Sequence, residues 1–336
     1  MPSNTFTLKI YTTGIQLVMT SLLALMHAPT NAQTNQQTYP SHPIQVIAPS
    51  TAGGGFDLVA RVLGNKLSEQ MGQQFIVENR PGSGTLVGTQ TAAKAPADGY
   101  HLLVGGLSNL ALNMGLYKQT GYDPINDFIP LKLVVSHSYT LIGTKDLPAN
   151  NLKDLISYAK SNPGKLSIGS SGPGSGQFIL GTLLKSLGAV DILLVPYKGA
   201  QPVYMDLIAG RVDLFFDNST TTRPYLEAGQ VKGLAVSSKI RAVDAPNIPT
   251  LKETGTMDLE METWFGLFTP AKTPTPIVER LRVEIDKAMQ NADVKSRLQQ
   301  GSGRILQLTP QETDAFLKSE VNKWTRALKQ AGIEPE

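Results

Sequence analysis

The stretch that decides the fold is Ile44-Gln45-Val46-Ile47-Ala48-Pro49-Ser50-Thr51-Ala52-Gly53-Gly54-Gly55-Phe56-Asp57. An apolar run, the length of a buried strand, ends in Pro, Ser and Thr and crosses three glycines. Leu58, Val59, Val62, Leu63 and Leu67 then fall at helical spacing, which predicts a helix over 57–69. Strand, glycine turn and helix follow one another. Glycine lets backbone approach a ligand closely. The first turn of a helix leaves N–H groups without intrahelical partners at the positive end of the helix dipole. Such a turn can hold a phosphate or carboxylate, or can be a plain strand-to-helix connection that needs glycine for tightness. Both readings stand on this stretch alone.

The same organisation returns downstream. Leu166-Ser167-Ile168-Gly169 runs into Ser170-Ser171-Gly172-Pro173-Gly174-Ser175-Gly176-Gln177, and Phe178, Leu180, Leu183, Leu184 and Leu187 follow at helical spacing. Further strands are predicted at 75–77, 101–104, 128–135, 139–142, 192–196, 212–216, 234–236 and 264–268. Helices are predicted at 86–94, 152–160, 202–209, 222–228, 276–290 and 310–329, and Leu107-Ser108-Asn109 is read as a loop. Strands alternating with helices mean an α/β architecture with largely parallel sheets. The segments after the strands, at 50–57, 80–85, 106–109, 170–177, 197–200 and 217–218, are rich in Ser, Gly and Asn. Ligands of open α/β sheets sit beyond the carboxyl ends of strands. Two such sheets facing each other would close these loops around a small molecule.

Composition narrows the function classes. The 336 residues suffice for roughly two domains of ~150 residues. At 41% hydrophobic and 17% charged residues, a globular core is expected and disorder is not. A net charge of +3, with no basic tract or RNA-type aromatic motif, gives no support to a nucleic-acid partner. The absence of cysteine removes disulfides, thiol nucleophiles and thiolate metal sites. The N-terminus carries a mostly apolar run over 10–26, then Pro29-Thr30-Asn31-Ala32-Gln33 with small residues at Thr30 and Ala32. This pattern fits a secretory signal over 1–32 cleaved after Ala32, followed by a flexible polar leader over 33–40. An exported, periplasmic protein is expected.

Tests for catalytic chemistry fail. The histidines at 27, 42, 101 and 137 lack metal-ligand spacing, so no metal is expected. No Gly-x-Ser-x-Gly elbow or Walker loop is present, and the Gly82-x-Gly84 pair lacks the third glycine of a dinucleotide fingerprint because Val87 stands in its place. No cofactor is expected. A secreted α/β enzyme acting on small carboxylates remains an alternative without residues to name.

Five motifs in order resemble one family. They are Ala52-Gly53-Gly54 with Asp57; Glu78-Asn79-Arg80-Pro81-Gly82-Ser83-Gly84; Ala95-Pro96-Ala97-Asp98-Gly99-Tyr100; Pro196-Tyr197-Lys198-Gly199-Ala200; and Gly210-Arg211-Val212-Asp213. Together they resemble the Bug family of periplasmic solute receptors of the tripartite tricarboxylate transporter type. The resemblance implies a type II periplasmic binding fold: two Rossmann-like α/β domains joined by two crossover strands, with the ligand cleft between them. It places one domain at 41–141 plus 263–336 and the other at 142–262. It implies a monomer that captures a small carboxylate or related polar metabolite and passes it to the membrane subunits of a transporter, or else presents it to a membrane sensor kinase.

The resemblance also carries over a site. One jaw is Ser50, Thr51, Ala52, Gly53, Gly54, Phe56 and Asp57. The other is Ser170, Ser171, Gly174, Ser175, Gly176 and Gln177. Around them stand Ser108, Asn109, Tyr197, Gly199 and Ala200, with Asp217 on the far side. Neither jaw contains Lys or Arg, so binding is expected through backbone N–H groups, hydroxyls and water rather than an ion pair. Asp57 reads more readily as a loop-fixing residue at the helix start than as a contact. Asp217 reads equally as an acceptor for a ligand amine or hydroxyl and as a satisfied strand-end carboxylate. Trp264 reads as core. The chain departs from the family at Ser50-Thr51, where Phe-Pro is common. It departs again at Gln177-Phe178, where a His usually follows the loop, and at Ser108 to Asn113, where a His before an Ala is frequent.

Overall fold

The computed structural model describes residues 39–172, 174–242, 245–300, 303–330 and 332–335. The expected export signal over 1–32 and leader residues 33–38 lie outside them. Of the leader, Tyr39 is described, and it donates its hydroxyl to the Gly99 carbonyl at 2.6 Å.

The first half opens with β1 (Ile44–Ala48) and α1 (Gly55–Met71). The helix buries Phe56, Val59, Ala60, Val62, Leu63 and Leu67 on one face and stops at Gly72, whose φ of 68° provides the left-handed turn at its end. Next come β2 (Phe75–Asn79), α2 (Leu86–Ala93), β3 (His101–Gly106), a π-helical turn over Ser108–Leu112 and the short α3 (Asn113–Leu116). Then β4 (Phe128–Thr144) crosses into α4 (Leu152–Ser161), β5 (Leu166–Ser170), α5 (Gly176–Gly188), β6 (Ile192–Pro196), α6 (Ala200–Ile208), β7 (Leu214–Asn218), α7 (Ser219–Glu227) and β8 (Val231–Val236). The chain returns through β9 (Glu262–Pro270) to α8 (Thr275–Gln290), α9 (Ala292–Gln299), β10 (Arg304–Ile305) and α10 (Pro310–Gln330).

Among the described residues the strands run in the order β2-β1-β3-β9-β4-β7-β5-β6, with β8 and β10 also paired to β4. The flanks are parallel: β1 with β2 and β3, and β5 with β6 and β7. The middle is antiparallel. β9 pairs with β3 and β4, and β4 pairs with β7 and β8. The alternation of strands and helices reveals the parallel flanks; it carries no signal for the returning strand β9.

Two local expectations are corrected. Residues 128–144 form one strand, not two. The polar run Ser136-His137-Ser138, which reads as a break, is buried and continues the ladder. His137 Nδ1 meets Thr220 Oγ1 at 2.9 Å, and Ser138 Oγ meets Ser219 Oγ at 2.7 Å. Residues 107–109 are helical rather than loop and open a turn that runs to Leu112, because Leu107, Leu110, Ala111 and Leu112 all turn into the core. Asn109 holds that turn: its Oδ1 accepts from the Gly106 amide at 2.8 Å and its Nδ2 donates to Thr89 Oγ1 at 3.0 Å. The α10 helix covers this region with Leu317, Trp324 and Leu328. Glu320 Oε2 accepts from both Trp264 Nε1 and Trp324 Nε1 at 3.1 Å, which ties β9 to α10 and places Trp264 in the core.

His137 gives the fold a pH signature. Thr220 Oγ1 donates to the Gln300 carbonyl at 2.7 Å, so the imidazole donates to Thr220 from Nδ1. Burial lowers its pKa from 6.5 to about 4. Between those values the unfolded chain binds a proton that the native chain refuses, so stability falls on acidification through this window and the term vanishes above it. At full extent the loss is about 3 kcal/mol. Urea unfolding at pH 7 and pH 4.5 is expected to show a smaller acid loss for His137→Gln than for the wild type; equal losses would refute the assignment.

Candidate functional site

The carboxyl ends of β1, β2, β5, β6 and β7 open on one cleft of about 700 Å³. Its lining comes from both flanks of the sheet and from the crossing strands between them. On one side stand the segments 49–56 and 81–85 with Ser108 and Tyr117. On the other are Ser171, Gly172, Ser175, Gln177 and the segment 197–201, with Asp217, Asn218 and Thr221. Tyr139, Thr263 and Phe265 stand on the crossing strands.

The glycine loop is held from beneath by Asp57, a buried residue in the first turn of α1. Its Oδ2 accepts from the Gly53 amide and from Arg61 Nε, both at 3.0 Å, and its Oδ1 accepts from Asn79 Nδ2 at 3.0 Å. Asn79 also donates to the Ser50 carbonyl at 3.2 Å. Burial alone would raise the Asp57 carboxyl; the donors Arg61, Gly53 and Asn79 outweigh it and hold the group below its ordinary value. This explains why Asp57 and the Glu78-Asn79-Arg80 segment occur together. One supplies the carboxylate and the other the amide that tie the β1 and β2 loops into one surface. Gly53 has φ of 84°, so the turn above Asp57 needs a residue without Cβ.

The opposite loop begins α5. The Ser175 side chain accepts from the Phe178 amide at 3.1 Å as the N-cap, and its hydroxyl donates to the Gly172 carbonyl at 2.7 Å. A Cβ at Gly176 would lie 2.0 Å from the Tyr139 hydroxyl, so glycine lets the helix start press against the crossing strand. The helices α1 and α6 begin at the cleft residues Gly55 and Ala200, and α5 and α7 begin one residue after the cleft residues Ser175 and Asn218. Of these, α1, α6 and α7 have no side-chain cap, which leaves first-turn amides available.

Beyond the α5 start, Gln177 Nε2 donates to Asp217 Oδ1 at 2.9 Å, and the Tyr204 hydroxyl donates to Asp217 Oδ2 at 3.0 Å. Tyr204 is itself fixed by stacking on Tyr225 at 4.1 Å between ring centres. Burial raises the Asp217 carboxyl, opposed by the Asn218 backbone N–H and the Gln177 side chain. Tyr197 walls the cleft with its ring and turns its hydroxyl away to Asp206 at 2.8 Å. Burial first and Asp206 second push that phenol up to about 12. Phe56 meets Phe265 edge-on, ring centres 5.0 Å apart, to form an apolar floor.

The two sides touch at the rim. A Cβ at Gly199 would lie 3.1 Å from Thr51 Oγ1, and one at Gly174 would lie 3.3 Å from the Gly84 Cα and 3.2 Å from the Tyr117 hydroxyl.

The cleft brings together Ser50, Thr51, Ala52, Gly53, Gly54, Phe56, Ser108, Ser171, Ser175, Gln177, Tyr197, Gly199, Ala200 and Asp217. Five expected contacts fall elsewhere. Asp57 lies under its loop and Asn109 inside the π-helical turn. Ser170 is fully buried at the end of β5, Gly174 faces the rim, and Gly176 faces Tyr139. Sequence reasoning missed Tyr117, Tyr139, Thr221, Thr263 and Phe265 as lining residues. Tyr139, Thr263 and Phe265 read as interior strand residues, and nothing local marks a strand that crosses a cleft. Lys198, read only as a loop residue, also reaches the lining as an exposed cation.

Asp57→Ala is expected to leave the Gly53 amide and Asn79 without their acceptor, costing about 1–3 kcal/mol in denaturant unfolding. An unchanged unfolding midpoint would show that the loop does not depend on this carboxylate.

Comparison with known proteins gives the family and the fold. Residues 59–333 match the family described as "Tripartite tricarboxylate transporter family receptor". A "UPF0065 protein in tcbD-tcbE intergenic region" of Pseudomonas sp. (strain P51) is 36% identical over 316 residues, covering 94% of this chain and 92% of that protein. The solved structure of the periplasmic binding protein BugD is similar with a TM-score of 0.84 and 34% identity, covering 89% of this chain and 100% of that one. R. palustris Rpa4515, solved with adipate, is similar with the same TM-score of 0.84, 34% identity and coverage of 89% and 100%. The fold is that of the periplasmic binding proteins, with the cleft between the two parallel flanks of the sheet. The chain belongs to the tripartite tricarboxylate transporter receptor family, whose Bug members are solute-binding proteins.

Proposed function

We propose that the protein is a periplasmic solute receptor that captures a small carboxylate between its two domains and delivers it to the membrane subunits of a tripartite tricarboxylate-type transporter. The observation that carries this reading is the meeting of helix N-termini from both sides of one cleft, α1 from one jaw and α5 from the other. Their dipoles, and the uncapped first-turn amides of α1, favour an anion without a buried cation. Lys198 adds positive charge from the rim. Binding of adipate by a relative of the same fold supports the carboxylate class.

In this reading the domains are 41–141 plus 263–336 and 142–262, and the ligand contacts are the cleft residues of the two jaws. Solute closes the domains by touching both, so the rim contacts of Thr51 with Gly199 and of Gly84 with Gly174 belong to the closed form. A closed receptor then differs in surface from an open one, which is what a membrane partner can read.

Native mass spectrometry of gently purified protein is expected to show a retained small acid, and titration calorimetry saturable binding of carboxylates without turnover. Gly54→Asp and Ser171→Asp each place a negative charge in a jaw; Gly54 has ordinary φ and room for a Cβ, 3.7 Å from its nearest neighbour. Each substitution is expected to weaken binding at least about tenfold, a loss of about 1.4 kcal/mol. Unchanged affinity in both variants would overturn the two-jaw site.

A further inference from the structure

Gln177 and Asp217 determine more than the shape of the cleft. Asp217 is buried, and the donors named above converge on its carboxylate: Gln177 Nε2 on Oδ1, Tyr204 on Oδ2, and the Asn218 backbone N–H. A carboxylate that accepts on both oxygens dictates the orientation of the Gln177 amide: nitrogen toward Asp217, oxygen away from it. Nothing among the described residues donates to that oxygen, and Gln177 lines the cleft. A second acceptor lies beside it. Asn218 Oδ1 is buried without a hydrogen-bond partner, and Asn218 also lines the cleft. A buried acceptor without a donor, such as Asn218 Oδ1, is rare in native proteins, and where it lines a cleft a donor from an ordered water or a bound ligand satisfies it. The Asp217 charge behind Gln177 has no cationic side chain paired with it among the described residues. It repels a second carboxylate and attracts a positive group.

We infer that the solute is a carboxylate that also carries a hydrogen-bond donor, an ammonium or hydroxyl group, and that Gln177, oriented by Asp217, selects for it. This rests on the carboxylate reading proposed above and sharpens it. Gln177 is the specificity contact. Asp217, whose oxygens are already engaged by protein donors, is a positioning residue.

Titration calorimetry on the full mature chain tests this with straight-chain acids of four to six carbons. Each is offered unsubstituted, with one amino or hydroxyl group, and as the matching dicarboxylate. The amino or hydroxyl form is expected to bind about ten- to hundredfold tighter than both its parent and the dicarboxylate. Gln177→Leu is expected to remove that preference, so that the amino or hydroxyl form binds no tighter than its unsubstituted parent. Asp217→Asn offers Gln177 a donor in place of an acceptor, so the amide turns its nitrogen to the cleft and the order is expected to reverse in favour of the dicarboxylate. A merely structural role for Asp217 would lower all affinities together without reversing their order, and would overturn the positioning assignment. Tightest binding of the dicarboxylate by the wild type, or an unchanged preference in Gln177→Leu, would overturn the inference. If no acid of the series binds at all, the carboxylate reading falls and takes this inference with it. Should Asp217→Asn fail to fold, Gln177→Leu on the exposed side of the pair still decides.

Discussion

The antiparallel pairing of β4 with β9 is the constraint on which the rest of the molecule depends. Residues 128–138 of β4 pair with 270–262 of β9, and the same strand then continues to pair with β7 and β8 over 139–144. One strand thus belongs to both flanks of the sheet, and the parallel units hang from it on either side. The junction lies where Tyr139, Thr263 and Phe265 face the cleft. Ladder hydrogen bonds and near-complete burial keep this floor stiff. The loops that reach over it come from strand ends, where a scaffold carries its adaptable residues.

In the proposed reading, an anion in the site meets amides rather than an ion-pair partner. An ion pair, Asp57 with Arg61 at 3.0 Å, lies beneath the glycine loop and holds the backbone. Above that clamp the loop turns its own groups toward the cleft, opposite the start of α5. Fixed dipoles of this kind need no reorganisation when an anion arrives and no second buried charge to desolvate. Asp217 adds the opposite sign at another part of the lining. In the proposed reading the cleft, largely apolar in its lining, offers amides to an anion and amide oxygens, backed by a carboxylate, to a donor.

Local pattern was sufficient for the βα units. Val59, Val62, Leu63 and Leu67 mark the buried face of α1 because a helix repeats its contacts every three to four residues. The Ser/Gly loops after β1 and β5 mark the two jaws because only such residues let backbone line a cavity. The pattern misled where buried polar residues replace apolar ones. Ser136-His137-Ser138 reads as a gap between strands and is the interior of one, where Thr220 and Ser219 from a distant helix partner His137 and Ser138. Asn109 looked like a ligand contact and is the internal brace of a helical turn.

What the sequence by itself determined is the set of short-range decisions: strand, glycine turn, helix, and the family to which their order belongs. These follow from spacing, from glycine's backbone freedom and from the positive end of a helix, all of which act within a few residues. The tertiary structure alone decided which loops share a wall and which side chains face it. Asp57 and Asn79 meet across 22 positions, Gln177 and Asp217 across 40, and Ser138 and Ser219 across 81. No local preference encodes those meetings. They arise because β4 and β9 bring separate βα units to one cleft, and a polar side chain buried there takes whatever partner the crossing strands deliver.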